Sequence, residues 1–117
     1  MAQSLKRNLE EGRIFEVPEE ATISDGTAGN VEPGSATFDI CARVLDERIA
    51  LSEMEIKRGM RDVAEAEHWI VEGAAGVAMA GACAMAAQCA GKRVAVILCG
   101  RNVGLGKFME CMTAASR

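Results

Sequence analysis

One histidine, no cysteine pair at C-x-x-C spacing and no basic run longer than a pair such as Lys6–Arg7 or Lys57–Arg58 are what this 117-residue sequence withholds. Each absence closes off a class of function. A tetrahedral metal site needs several nitrogen or sulfur ligands at short spacings, and His68 with five scattered cysteines does not supply that pattern. The odd cysteine set (Cys41, Cys83, Cys89, Cys99, Cys111) is equally unlike a disulfide framework, and reads as reduced small hydrophobes. With 13 basic against 17 acidic residues and a net charge of −4, the chain carries no footprint for a phosphate backbone or an anionic membrane. A polar, charged start stands where an exported chain would place its apolar leader, so a cytoplasmic setting is expected.

What is present suffices for one domain, burying roughly two-thirds of its unfolded surface. Ser4–Gly12 reads as a short polar helix stopped by glycine, and residues 13–34 as a long loop punctuated by Pro18, Gly26, Gly29, Pro33 and Gly34. Helical spacing resumes at Ser35, with Phe38, Cys41 and Leu45 on one face. Arg48–Ser52 reads as a short strand running into a helix start. Ser52 and Glu55 have the spacing of a capping box, and Leu51 and Ile56 that of a hydrophobic staple. The helix beyond carries Ile56, Met60, Val63 and Ile70 on one stripe, with Glu53 four residues before Lys57 on the solvated side.

Residues 73–90 hold no charge and are mostly small. They are slightly short for a membrane span, and the charged helix before them favours a buried helix packed through Gly76, Ala80, Ala84 and Ala87. After the turn Gly91–Lys92–Arg93, the run VAVILC (94–99) has the continuous apolar character of a parallel strand covered on both faces, and Lys107–Ala115 reads as a closing helix. The expectation is an α/β chain, a partial three-layer fold with short parallel sheet elements and flanking helices. Its sheet is short of strands.

The turn CGRNVG after that run is where open α/β sheets place ligand crevices, and amides from Arg101 to Gly104 ahead of a helix suit an anion; many such turns simply reverse the chain. Cys99 is a nucleophile only if Arg101 or a nearby helix start stabilises its thiolate, and His68, between Glu67 and Trp69, is more simply a surface or satisfied residue than its partner. Asp25–Gly26 is a turn signal before anything catalytic. Glu72 opens the uncharged helix, either as a solvent-facing cap or as an acid favoured by the helix dipole.

Four ordered blocks, TISDGTAGNVEPGSATFDI, DERIALSEMEI, WIVEGAAGVAMAG and GKRVAVILCGRNVGLGKF, resemble the C-terminal portion of the pyridoxal-phosphate-dependent serine/threonine dehydratases, relatives of the tryptophan synthase β chain. The resemblance spans nearly the whole sequence but only about the last third of such an enzyme. It implies that Cys99 stands where a serine or cysteine faces the cofactor's pyridine nitrogen. By the same resemblance Gly100, Arg101 and Asn102 shape the loop beside the ring, and Glu72 lies near the pocket. Two residues depart from the pattern: Arg101 stands where a second glycine is usual, and Gly73 where a proline follows the glutamate.

The family's Schiff-base lysine, its serine-asparagine motif for the substrate carboxylate and its tetraglycine phosphate loop have no counterpart here. Lys6, Lys57, Lys92 and Lys107 all lie in other contexts. The resemblance therefore implies a truncated dehydratase-like domain over residues 1–117, with no catalytic residue and no metal of its own. It would bind pyridoxal phosphate only if a complementary dehydratase-like chain supplied the missing segments. Self-association follows from the short sheet: a homodimer first, either extending the strand or burying the alanine-rich helix, with segments of the 13–34 loop available for exchange. Subunit of a split ammonia-lyase and small-molecule-binding regulatory domain are the alternatives.

Overall fold

The computed structural model describes residues 3–115. Among them are five α-helices, α1 (Ser4–Glu11), α2 (Ala36–Val44), α3 (Glu53–Glu67), α4 (Gly73–Ala84) and α5 (Leu105–Ala114), one 3-10 turn (Asp25–Thr27), and no strand. The expected α/β architecture is thereby corrected to an all-helical one. A strand exists only as one side of a hydrogen-bonded ladder, and neither Arg48–Ser52 nor 94–99 finds a second segment to pair with among the described residues. The apolar run that reads as a doubly covered strand is instead open to solvent, with Val94 55%, Val96 38% and Ile97 77% exposed.

The chain forms two compact units. The first runs to Thr22 and resumes over Thr27–Ala50; the second takes Ile23–Gly26 and the chain from Leu51 onward. In the first unit α1 ends at Gly12, whose φ of 67° is the left-handed stop that only glycine adopts without strain. Asn8 is fully buried, and its carboxamide brackets Phe15: Nδ2 donates to the Phe15 carbonyl at 3.0 Å and Oδ1 accepts the Phe15 N–H at 3.2 Å. Asn30 does the same for Val17, accepting its N–H at 2.8 Å and donating to its carbonyl at 3.0 Å. Two side-chain amides thus do for this loop what a neighbouring strand would do, and Ser4 Oγ adds a bond to the Gly29 carbonyl. Phe38 on α2 is buried, whereas Leu45 at the helix end is 40% exposed.

The second unit is built on α3. Ser52 Oγ accepts the Glu55 N–H at 3.3 Å and the Glu55 carboxylate accepts the Ser52 N–H at 2.6 Å, completing the capping box. Leu51 and Ile56 are both buried beside it. Ile56, Met60 and Val63 form the buried stripe, each side chain contributing about 1.5–3 kcal/mol by leaving water. Ile70, expected on that stripe, lies beyond the helix end at His68 and is 41% exposed.

Where α3 crosses α4 the contact is backbone on backbone. A Cβ on Gly59 would collide with the Gly76 carbonyl and stand 2.9 Å from the Ala80 nitrogen; one on Gly76 would stand 2.6 Å from Met60 Cγ. The expected packing through Gly76 and Ala80 is therefore present. It does not extend to Ala84 and Ala87, because α4 ends at Ala84 and turns follow to Gly91. No helix among the described residues is long and apolar enough to cross a membrane.

Candidate functional site

The site grows from the start of α4. Val71 is fully buried and fixes the chain immediately before Glu72, the N-cap residue of that helix. The Glu72 backbone works in both directions: its carbonyl accepts the Gly76 N–H at 3.1 Å, and its own N–H donates to the Gly100 carbonyl at 3.1 Å. Its side chain does not cap α4. It reaches across to the turn after residue 99, where Oε2 accepts the Asn102 N–H at 2.9 Å, and the carboxylate fills the space in which a Cβ of Gly100 would stand. Glu72 is only partly exposed, so neither the solvent-facing cap nor a charge spent solely on the helix dipole describes it.

This explains why residue 100 is glycine. Its φ is not in the left-handed region, so the requirement is room for the Glu72 carboxylate rather than backbone freedom. Two of the amides after Cys99 are committed. The Asn102 N–H is held by Glu72, and the Val103 N–H donates to the Arg101 carbonyl at 3.0 Å. One anion of the chain itself, the Glu72 carboxylate, is already seated at this turn.

Arg101 is drawn aside. Its Nε donates to the Ile70 carbonyl at 3.3 Å, and its guanidinium carbon stands 5.8 Å from the centre of the Trp69 ring, a cation–π arrangement. Asn102 is exposed, and its carboxamide makes no hydrogen bond among the described residues. Cys99 is an exposed free thiol at the head of the turn, so it does not stand at the end of a buried strand. The structure thus brings Glu72, Gly100, Arg101 and Asn102 into one bonded cluster with Cys99 at its edge. Sequence reasoning missed Trp69 and Ile70, which hold Arg101, although their adjacency to Glu72 was the available signal.

Gly73, the other departure, has an equally local cause. A Cβ there would collide with the Ile23 carbonyl and stand 2.7 Å from Ser24 Cα, and that segment is held by an Ile23 N–H to Glu53 Oε2 bond of 2.9 Å. A proline at 73 would meet the same backbone.

The remaining candidates lie elsewhere. His68 is the exposed left-handed end of α3, with φ 58°. Asp25 accepts the Gly26 N–H at 3.0 Å and pairs with Lys107 Nζ at 3.5 Å. All five cysteines are free, but only Cys111 is buried; burial pushes its thiol above the usual range. No group of His, Cys, Asp or Glu able to hold a metal ion occurs among the described residues.

Comparison with known proteins identifies the pattern. The sequence profile of the family described as pyridoxal-phosphate dependent enzyme matches residues 1–100. A Sinorhizobium fredii protein bearing the name of a threonine dehydratase is 30% identical over 97% of this chain and 35% of its own length. The L-threonine ammonia-lyase of Thermotoga maritima is 32% identical over 86% of this chain and 24% of its own. The catabolic L-threonine dehydratase TdcB of Staphylococcus aureus is 38% identical over 88% and 27%. The chain therefore spans about a third or less of these curated relatives.

Proposed function

Because the chain belongs to the pyridoxal-phosphate-dependent enzyme family, we propose that its Glu72–Asn102 cluster is one edge of a dehydratase cofactor pocket and that these 117 residues do not catalyse the reaction by themselves. The observation that carries this reading is the carboxylate clasp. Glu72 fixes the Gly100–Asn102 backbone while leaving the Cys99 thiol exposed beside it, an arrangement able to present a small polar group to a ring nitrogen.

The donor set fits that edge and no more of the cofactor. The Asn102 and Val103 amides of the turn are held by Glu72 and Arg101, Lys107 is paired with Asp25, and no glycine run offers a cradle for a phosphate. When bound, the cofactor supplies the electron sink for chemistry at an amino acid's α-carbon. Cys99 would face its ring, Glu72 would hold the turn in register, and Arg101 would stay clear of the ring by resting on Trp69.

The relatives named for threonine support a small hydroxy-amino acid as the substrate class of the completed pocket. Five free cysteines support a reducing, cytoplasmic setting. The exposed Cys99 also supports a split enzyme, in which a second chain brings the lysine and the phosphate loop.

The test is direct. Purified chain incubated with pyridoxal phosphate and dialysed is expected to retain no visible chromophore and to form no keto acid from threonine or serine. Retention and turnover that disappear on replacing Lys6, Lys57, Lys92 or Lys107 would overturn the non-catalytic reading. Keto acid formed only on adding a chain that holds the lysine and glycine loop, and lost with Cys99→Ala, would establish the split enzyme instead.

A further inference from the structure

Residues 93–99 run without helix, turn or bend, and none of their backbone groups is hydrogen-bonded among the described residues. The side chains are apolar from Val94 to Cys99, yet most of the segment is exposed. Such an edge is a template for another extended backbone. At its end one side is taken: the Gly100 carbonyl accepts the Glu72 N–H. In an extended chain alternate residues turn their N–H and C=O to opposite edges. The edge shared by Gly100, Leu98 and Val96 is therefore partly committed, and the one presented by Cys99, Ile97, Ala95 and Arg93 is open throughout.

We propose that this open edge is a self-recognition surface whose occupant is the same segment of a second copy, antiparallel about a two-fold axis. Val96 faces its own counterpart on the axis, Ala95 lies opposite the partner's Ile97, Arg93 opposite the partner's Cys99 and Lys92 opposite the partner's Gly100. Hydrogen-bonded pairs then fall on the open edges, and Val96 with Val96 is a close, non-bonded pair. This ladder lies between copies and is not an element of the single chain.

Charge selects the register. Residues directly opposite each other project to the same face, and the Gly100 side of that face is filled by the Glu72 carboxylate. Lys92 of each copy is thus brought beside the partner's Glu72. Sliding by two residues in either direction puts Val94 or Ala90 there and loses the ion pair. The two-fold axis makes the contact self-complementary and closed, so association stops at two.

Sedimentation equilibrium of the full chain across a dilution series tests the proposal, with disulfide trapping to read the register. The expected result is a dimer that Lys92→Glu weakens. Ala95→Pro, which removes an N–H from the open edge, is expected to be monomeric with its helical circular dichroism intact. With Cys83 and Cys99 changed to Ser, Val96→Cys is expected to close a covalent dimer under mild oxidation. Val94→Cys, whose counterparts are too far apart for a disulfide, is not. A monomer throughout the series, which includes the case of an edge reserved for a different polypeptide, would overturn the proposal. So would equal trapping at 94 and 96, or a dimer untouched by a folded Ala95→Pro variant.

Discussion

Glu72 and Gly100 are a matched pair, one residue long because the other is short. An alanine at 100 suits the backbone but not the space, since its Cβ would enter the Glu72 carboxylate. Gly100→Ala is therefore expected to break the clasp and lower stability by about 1–3 kcal/mol, the usual cost of overpacking. Adding Glu72→Ala should restore part of that loss, because it removes the atoms in conflict. A double-mutant cycle in urea measures the coupling, and strictly additive losses would refute the pairing. The sequence reveals that Glu72 opens a helix and that residue 100 is a glycine after an apolar run. It does not reveal that they touch, because 28 residues separate them and only the tertiary fold closes that distance. Arg101 illustrates the same limit: its presence is legible, while its resting place on Trp69 depends on the chain path between α3 and α4.

Helix α3 is the element read most fully in advance, since caps and staples involve residues a few positions apart. Glu55 carries a measurable signature of its cap. The Ser52 hydroxyl and then the Ser52 N–H, both donating to the Glu55 carboxylate, hold its pKa below the ordinary value. A folded pKa below the unfolded one contributes stability above the unfolded value that is lost as pH falls through the folded one. Urea midpoints of the native chain and Glu55→Gln should accordingly differ near neutrality and converge in acid; a gap that persists in acid would argue against the carboxylate's role. The crossing of α3 and α4 yields a second contrast. Gly106 on α5 has open space around its Cα, so Gly106→Ala should stabilise by up to about 1 kcal/mol through helix propensity. Gly59→Ala gains the same propensity but drives a methyl into the Gly76 carbonyl, and should melt at a lower temperature than the native chain. Equal shifts in thermal denaturation would mean the helices do not approach as described.

For the whole molecule, helices were legible and the lack of a sheet among the described residues was not. A helix satisfies its backbone within its own sequence, whereas the apolar run 94–99 announces only a preference for pairing and names no partner. The expected α/β fold took that preference for a fulfilled one. The loop 13–34 shows the opposite economy, because its backbone is served by carboxamides that sequence reasoning passed over as ordinary polar residues. Asn8 and Asn30 bracket Phe15 and Val17 from positions 7 and 13 residues away. On a ribosome this ordering has a timetable: both clasps can close once Asn30 has emerged, before any of α2, α3, α4 or α5 has left the tunnel, and N-terminal parts of chains generally settle first during synthesis. The nascent chain thus has its least regular stretch tied off early, while every later helix is still inside the tunnel or not yet translated.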